Sequence, residues 1–161
     1  MPTTITVGKF ADHLGQHLGF SDWFEFTQEK TDRFADLTDD HGWPHVDVER
    51  SRNSPIGGTV AHGFFVLSLF MHFWNQMVVV DKKSLLLFYG MNKVRITSPV
   101  PAEGGRIRLG LEVASVKEFD DGELVAYTAT FELEGREKPA CVAEVLFRYW
   151  REGMFPGNVA V

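Results

Sequence analysis

Residues 63–80 read GFFVLSLFMHFWNQMVVV and contain no charged side chain. A membrane helix needs ~20 predominantly apolar residues, and this run comes close. Ser68, His72, Asn75 and Gln76 interrupt it. They fall at i, i+4, i+7 and i+8, which is one face of a helix. The rest is apolar most of the way round, as in a helix enclosed by its own protein. The reading is therefore one long buried helix, not a membrane span.

C-terminal to this helix, after Ser84, the period changes to two. Ile107, Leu109, Leu111 and Val113 alternate with Arg106, Arg108, Gly110 and Glu112. Val125, Tyr127, Ala129, Phe131 and Leu133 share a face of the next run, and Cys141, Ala143, Val145, Phe147 and Tyr149 share one in the last. The short connections DDG (120–122) and EGREKP (134–139) predict antiparallel hairpins. N-terminal to the long helix, residues 7–17 are expected as a short helix and residues 22–27 as a strand. Gln28 to Asp36 is expected as a helix with Phe34 and Leu37 toward the core. A polar loop (38–47), a short helical turn after Asp47 and a breaker cluster SPIGGT (54–59) follow. No repeat or linker divides the chain, so residues 1–161 form a single domain. The fold class is α+β: one long helix packed on an antiparallel sheet of about five strands.

The composition narrows the function. The chain has 161 residues, 44% hydrophobic and 24% charged, with a formal net charge of -6. It can bury a core, and its acidity argues against nucleic acid and anionic membrane as partners. The lone Cys141 permits neither an internal disulfide nor a cysteine-based zinc site, and its place in an alternating run makes it a buried strand residue. The segment MPTTITVGKFADHLGQ lacks the basic start and apolar stretch of a signal peptide, so a cytoplasmic location is expected.

Two stretches carry chemistry. The first is Asp39-Asp40-His41-Gly42-Trp43-Pro44-His45-Val46-Asp47. A carboxylate and an imidazole brought together exchange protons near neutral pH, and a loop containing Gly and Pro can bring Asp40 and His45 together. By spacing alone the stretch also fits a solvated polar loop. The second is Ile56-Gly57-Gly58-Thr59-Val60-Ala61-His62-Gly63, which leads into the helix. A helix N-terminus offers free backbone N–H groups, and Gly63, without a Cβ, lets a ligand atom approach closely. That suits a carbonyl oxygen becoming an oxyanion. It also suits a sharp turn into a buried helix.

Together the two stretches resemble the MaoC-like dehydratases. The pattern Asp-x-x-Trp-x-His-x-Asp, followed by Gly-Gly-Thr-Val-Ala-His-Gly-Phe and Leu-Ser-Leu, is similar to this family, which includes the R-specific enoyl-CoA hydratases. The branch related to nodulation protein N is the nearer match, and YGMNKVRITSPVPAEGGRIR (89–108) also resembles it. The resemblance implies a hot-dog fold, a sheet curled around a central helix. It implies a hydro-lyase of fatty acid metabolism that hydrates a trans-2-enoyl thioester to the (R)-3-hydroxyacyl thioester. Asp40 and His45 match the family's catalytic pair, which holds a water, and Gly63 matches the glycine whose N–H binds the thioester carbonyl. His62 and Gly42 join Gly63 as expected substrate-binding residues, His62 also ordering its loop. No metal or redox cofactor is implied; coenzyme A enters as part of the substrate. A homodimer with sheets joined edge to edge is implied.

The chain departs from the pattern before the histidine. The familiar loop reads Asn-Pro-Leu and the nearer branch Gln-Trp-Ile, where this chain has Gly42-Trp43-Pro44. The amide side chain at position 42 is gone, which bears on support of the pair and on substrate size. Asp39 is expected as a turn residue and Asp47 as the cap of the following helix. Lys93, Arg95, Arg106 and Arg108 are expected as solvated strand residues, with one or two candidates for cofactor phosphates. The polar helix face is expected at a pocket or a subunit contact. Two other functions fit the same residues. One is an acyl-CoA thioesterase, Asp40 directing water at the carbonyl carbon. The other is a non-catalytic acyl-thioester-binding subunit.

Overall fold

The structure is a computed structural model describing residues 1–155. Its main sheet has strands β2 (His17–Phe20), β5 (Lys83–Ile96), β6 (Arg106–Phe119), β7 (Gly122–Leu133) and β8 (Cys141–Arg151), in the order β2-β6-β7-β8-β5. A two-residue strand, β3 (Phe24–Glu25), adds to β6 and makes the sheet six-stranded. All pairings are antiparallel. The period-two reading holds residue by residue. Leu109 faces Phe131, Leu111 faces Ala129 and Val113 faces Tyr127, while Phe131 faces Cys141 and Tyr127 faces Val145. These side chains are fully buried. Between Val113 and Ser115 the register shifts by one residue, a bulge that bends the strand.

The long helix is a correction. It is two helices, α4 (Gly63–Ser68) and α5 (Phe70–Met77). At the junction the Leu69 N–H bonds to the Val66 carbonyl at 3.3 Å, a tighter i→i−3 bond that interrupts the α-helical ladder. Val78–Val80 are not helical either: they belong to β4 (Val78–Asp81), which pairs in parallel with β1 (Thr3–Thr6). Three consecutive β-branched residues favour a pleated conformation over a helix. The amphipathic reading survives the break. Val66, Leu67, Phe70, Phe73, Trp74 and Met77 are buried, and Ser68, His72 and Asn75 are exposed on the opposite face. Phe70 and Trp74 meet Phe147 edge-on, with centroids 5.5 and 5.6 Å away, so α5 lies on the inner face of the sheet.

The N-terminal region is also less helical than expected. Residues 7–17 hold only a 3-10 turn, Phe10–His13, with β2 beginning at His17. Gly8 and Gly15, both at positive φ, frame it. The expected strand at 22–27 shortens to β3. Helix α1 (Gln28–Thr38) forms as expected, with the Thr27 side chain capping the Lys30 N–H. It packs through Thr31 and Ala35; Phe34 is half-buried, and Leu37, expected in the core, is 82% exposed. The loop at 38–47 contains a short helix, α2 (Trp43–Val46), and Asp47 caps α3 (Val48–Arg52) through the Arg50 N–H.

Candidate active site

Asp40 is placed by the end of α1. Asp39 takes the left-handed conformation (φ 55), which Asp tolerates better than most residues. The Asp40 N–H then returns to the Ala35 carbonyl at 3.2 Å, the closing bond of a Schellman-type helix end. Asp39 is thus the turn residue, and Asp40 is the first side chain beyond it. The Asp40 carboxylate accepts from the Gly42 N–H at 3.3 Å and remains exposed.

His45 sits in α2, whose N-cap is Gly42. Its Nδ1 lies 2.6 Å from the Val60 carbonyl. A carbonyl only accepts, so the Nδ1 carries the proton. The neutral ring then presents its lone pair at Nε2. The Val60 N–H returns to the Pro44 carbonyl at 2.9 Å, so one residue grips α2 from both sides. Gln28, at the start of α1, donates to the His45 carbonyl at 2.7 Å and accepts from the Thr59 hydroxyl. Gln28 and Val60 gave no signal in the sequence, because the first acts through a side chain at a helix start and the second through its backbone.

His62 is 2% exposed. Its ring stacks on that of His45 with centroids 3.8 Å apart and planes 25° from parallel, and Phe34 packs against it with centroids 5.1 Å apart. Its Nε2 donates to the Asp40 carbonyl at 2.9 Å and lies 3.9 Å from the Asp40 carboxylate. Asp40, His45 and His62 each bring one side-chain donor atom within 4.8 Å of the others. Proximity of this kind suggests a metal, but the ring geometry opposes it. Two rings stacked nearly parallel have planes that do not converge within the ~2.0–2.1 Å of a metal–imidazole bond. One nitrogen of each ring is also already committed to a carbonyl. A carboxylate and two imidazoles at this distance can exchange protons.

Gly42 lies against this cluster, and Gly63 follows its His62 in the chain. A Cβ on Gly42 would lie 3.4 Å from the Asp40 carboxylate and 3.5 Å from the Cδ2 of His45, ordinary contact distances, so its bare Cα faces the pair. Gly63 is the first residue of α4, so its N–H has no acceptor within the helix. A Cβ there would press on Ile96 at 3.2 Å. Beyond Phe34 opens an apolar groove of about 740 Å³, lined among others by Phe64, Leu67, Met71, Phe88 and Met91. Of the four cations named from the sequence, three are paired: Arg106 with Glu134, Arg108 with Glu132 and Lys93 with Glu144. Among the described residues, the Arg95 side chain bonds the neighbouring Val94 carbonyl. On the polar helix face, Gln76 accepts from the Asp22 N–H at 3.0 Å and so ties α5 to the approach to β3.

The MaoC-like domain family matches residues 9–134. The chain is 43% identical over 150 residues to 3-hydroxyacyl-thioester dehydratase Z of Mycobacterium tuberculosis, covering 92% of this chain and 99% of the relative. It is 38% identical over 144 residues to nodulation protein N of Rhizobium leguminosarum, covering 86% and 88%. Among solved structures, an R-hydratase from Pseudomonas aeruginosa superposes with a TM-score of 0.70 at 17% identity, covering 86% of this chain and 83% of that one; this establishes the hot-dog fold. The chain belongs to the MaoC-like dehydratase family.

Proposed function

We propose that this protein catalyses the reversible addition of water to a trans-2-enoyl thioester, giving the (R)-3-hydroxyacyl thioester. The observation that carries the reading is the placement of the His45 ring, with its Nδ1 2.6 Å from the Val60 carbonyl. Its Nδ1–H is held by the Val60 carbonyl, which leaves Nε2 as a proton acceptor in a cluster with the Asp40 carboxylate. In the hydration direction a water sits between the two groups. Its oxygen adds to Cβ, one of its protons passes to the pair, and the pair returns a proton to Cα. The thioester oxygen gains negative charge as the enolate forms, and the Gly63 N–H donates to it. Dehydration runs the same steps in reverse. The acyl chain follows the apolar groove beyond Phe34, and coenzyme A is the carrier.

Family membership and the 3-hydroxyacyl-thioester dehydratase relative support this reading. The working unit is a homodimer formed at the β5 edge. The test is a panel of trans-2-enoyl-CoA substrates of different chain length and ring content, followed by loss of enoyl absorbance with chiral analysis of the product. The expected result is formation of the R alcohol with no free thiol. Release of free thiol without loss of the double bond would instead identify a thioesterase, and binding without turnover a non-catalytic subunit.

A further inference from the structure

We infer that His62 is a positioning residue that holds the acid/base loop and the carbonyl-binding helix turn in one rigid arrangement. The inference rests on the hydratase reading for its kinetic consequence, but its structural part stands alone. His62 occupies the junction of the two halves of the site. Its backbone opens α4: it is the N-cap, and its carbonyl accepts the Val66 N–H at 3.2 Å, so it sets the direction of the next N–H, that of Gly63. Its side chain reaches back to the other half. The Nε2–H donates to the Asp40 carbonyl, and because a carbonyl cannot donate, the proton resides on Nε2. Its ring face backs His45.

The remaining groups show how much depends on this one side chain. Asp40 lies just past the end of α1, its backbone N–H bonds α1, and its exposed carboxylate accepts from the Gly42 N–H. The His62 contact is what ties it to α4. His45, by contrast, is held independently by Val60 and Gln28. Removing the His62 donor therefore loosens Asp40 and leaves His45 held. At 2% exposure His62 has almost no surface to offer a substrate, so its effect is transmitted through Asp40.

Two variants of the full chain separate donor from ring. His62→Phe keeps the ring stack and removes the donor. His62→Gln loses the ring and keeps an N–H near the position of Nε2. Misplacing a reacting group by about 1 Å reduces rate by about 10²-fold, so His62→Phe should lose that much kcat on enoyl-CoA. Its KM should stay within about threefold, the pattern of a lost transition-state interaction. His62→Gln should recover most of the kcat even if it melts at a lower temperature. If His62→Gln is as slow as His62→Phe, if neither loses kcat, or if the loss falls in KM, the inference is overturned. A readout without turnover uses nitrogen-15 NMR. His62 in the wild type should carry its proton on Nε2, and the Asp40 amide should exchange with solvent faster in His62→Phe but not in His62→Gln. A proton on Nδ1 of wild-type His62 would overturn the inference without any variant. A wild type that turns over no thioester but passes the NMR test would overturn the proposed function and leave the positioning role intact.

Discussion

At the scale of single residues, Gly42 leaves space open beside Asp40 and His45. A side chain there would begin against both Asp40 and His45 at contact distance, without backbone strain, since Gly42 has φ −53. Gly42→Gln should therefore fold and narrow the range of substrates. The expected outcome is a fall in the ratio of kcat/KM on bulky or branched enoyl-CoA to that on crotonyl-CoA; an unchanged ratio would show that position 42 does not face the acyl group. Asp39 makes a different prediction. Its left-handed backbone suits Asp or Asn, and forcing a β-branched residue into that region costs about 1–2 kcal/mol. Asp39→Asn should keep wild-type stability and activity, and Asp39→Val should lower the urea midpoint. Asp40 and His45 could be named from the chain because the resemblance selects them; the spacing of five would not have done so. What holds them was hidden. The left-handed Asp39, the Val60 carbonyl and the Gln28 amide act through backbone geometry or across long sequence distances.

At the scale of elements, α4 presents the Gly63 N–H and β7 anchors the N-terminal segment. Gly63→Pro deletes the N–H, and proline is well suited to the first turn of a helix. His62 before it already has the extended conformation that proline demands (φ −60, ψ 138). The added ring must displace Ile96, a half-exposed side chain able to move. One backbone donor to an oxyanion supplies ~2.7–4 kcal/mol, so kcat should fall about 10²–10³-fold in a folded protein; normal kcat would rule the contact out. Glu123, fully buried at the start of β7, binds the Gly8 N–H. Burial raises its carboxyl above the ordinary 4.5, against the opposing pull of the Gly8 and Phe10 amides and Arg151. From pH 4.5 up to the raised value the folded protein retains a proton that the unfolded chain has released, so this group makes stability fall as pH rises. Glu123→Gln removes that slope. Its urea midpoint should gain on the wild type as pH climbs from 4.5, and a constant difference would contradict the account. Strands β6 to β8 were legible because period-two burial is written in adjacent residues. The break at Leu69 was not, because neither glycine nor proline marks it and the apolar and polar faces run on across it. The Val78–Val80 strand had a signal, its β-branching, which the amphipathic reading of the helix overrode.

At the scale of the whole molecule, β5 ends the sheet order, and an edge strand invites pairing. Phe64, Phe88, Tyr89 and Ile96 are large hydrophobics left at least half-exposed on α4 and β5. Light scattering at micromolar concentration should give twice the 18.2 kDa chain mass; a monomer mass would sink the dimer. Among the described residues no helix is long and apolar enough to cross a membrane, in keeping with the sequence reading of residues 63–80. The central claim is that Asp40 and His45 together activate one water, and the direct measurement is kcat for hydration of crotonyl-CoA by Asp40→Asn, His45→Gln and the double variant. General acid/base groups supply ~10²–10⁴-fold, and groups acting as a unit are not additive. The account predicts that each single variant loses at least about 10²-fold, with KM little changed and the double variant little slower than the slower single one. An Asp40→Asn protein keeping more than about a tenth of wild-type kcat, far more than loss of a general base allows, would contradict it.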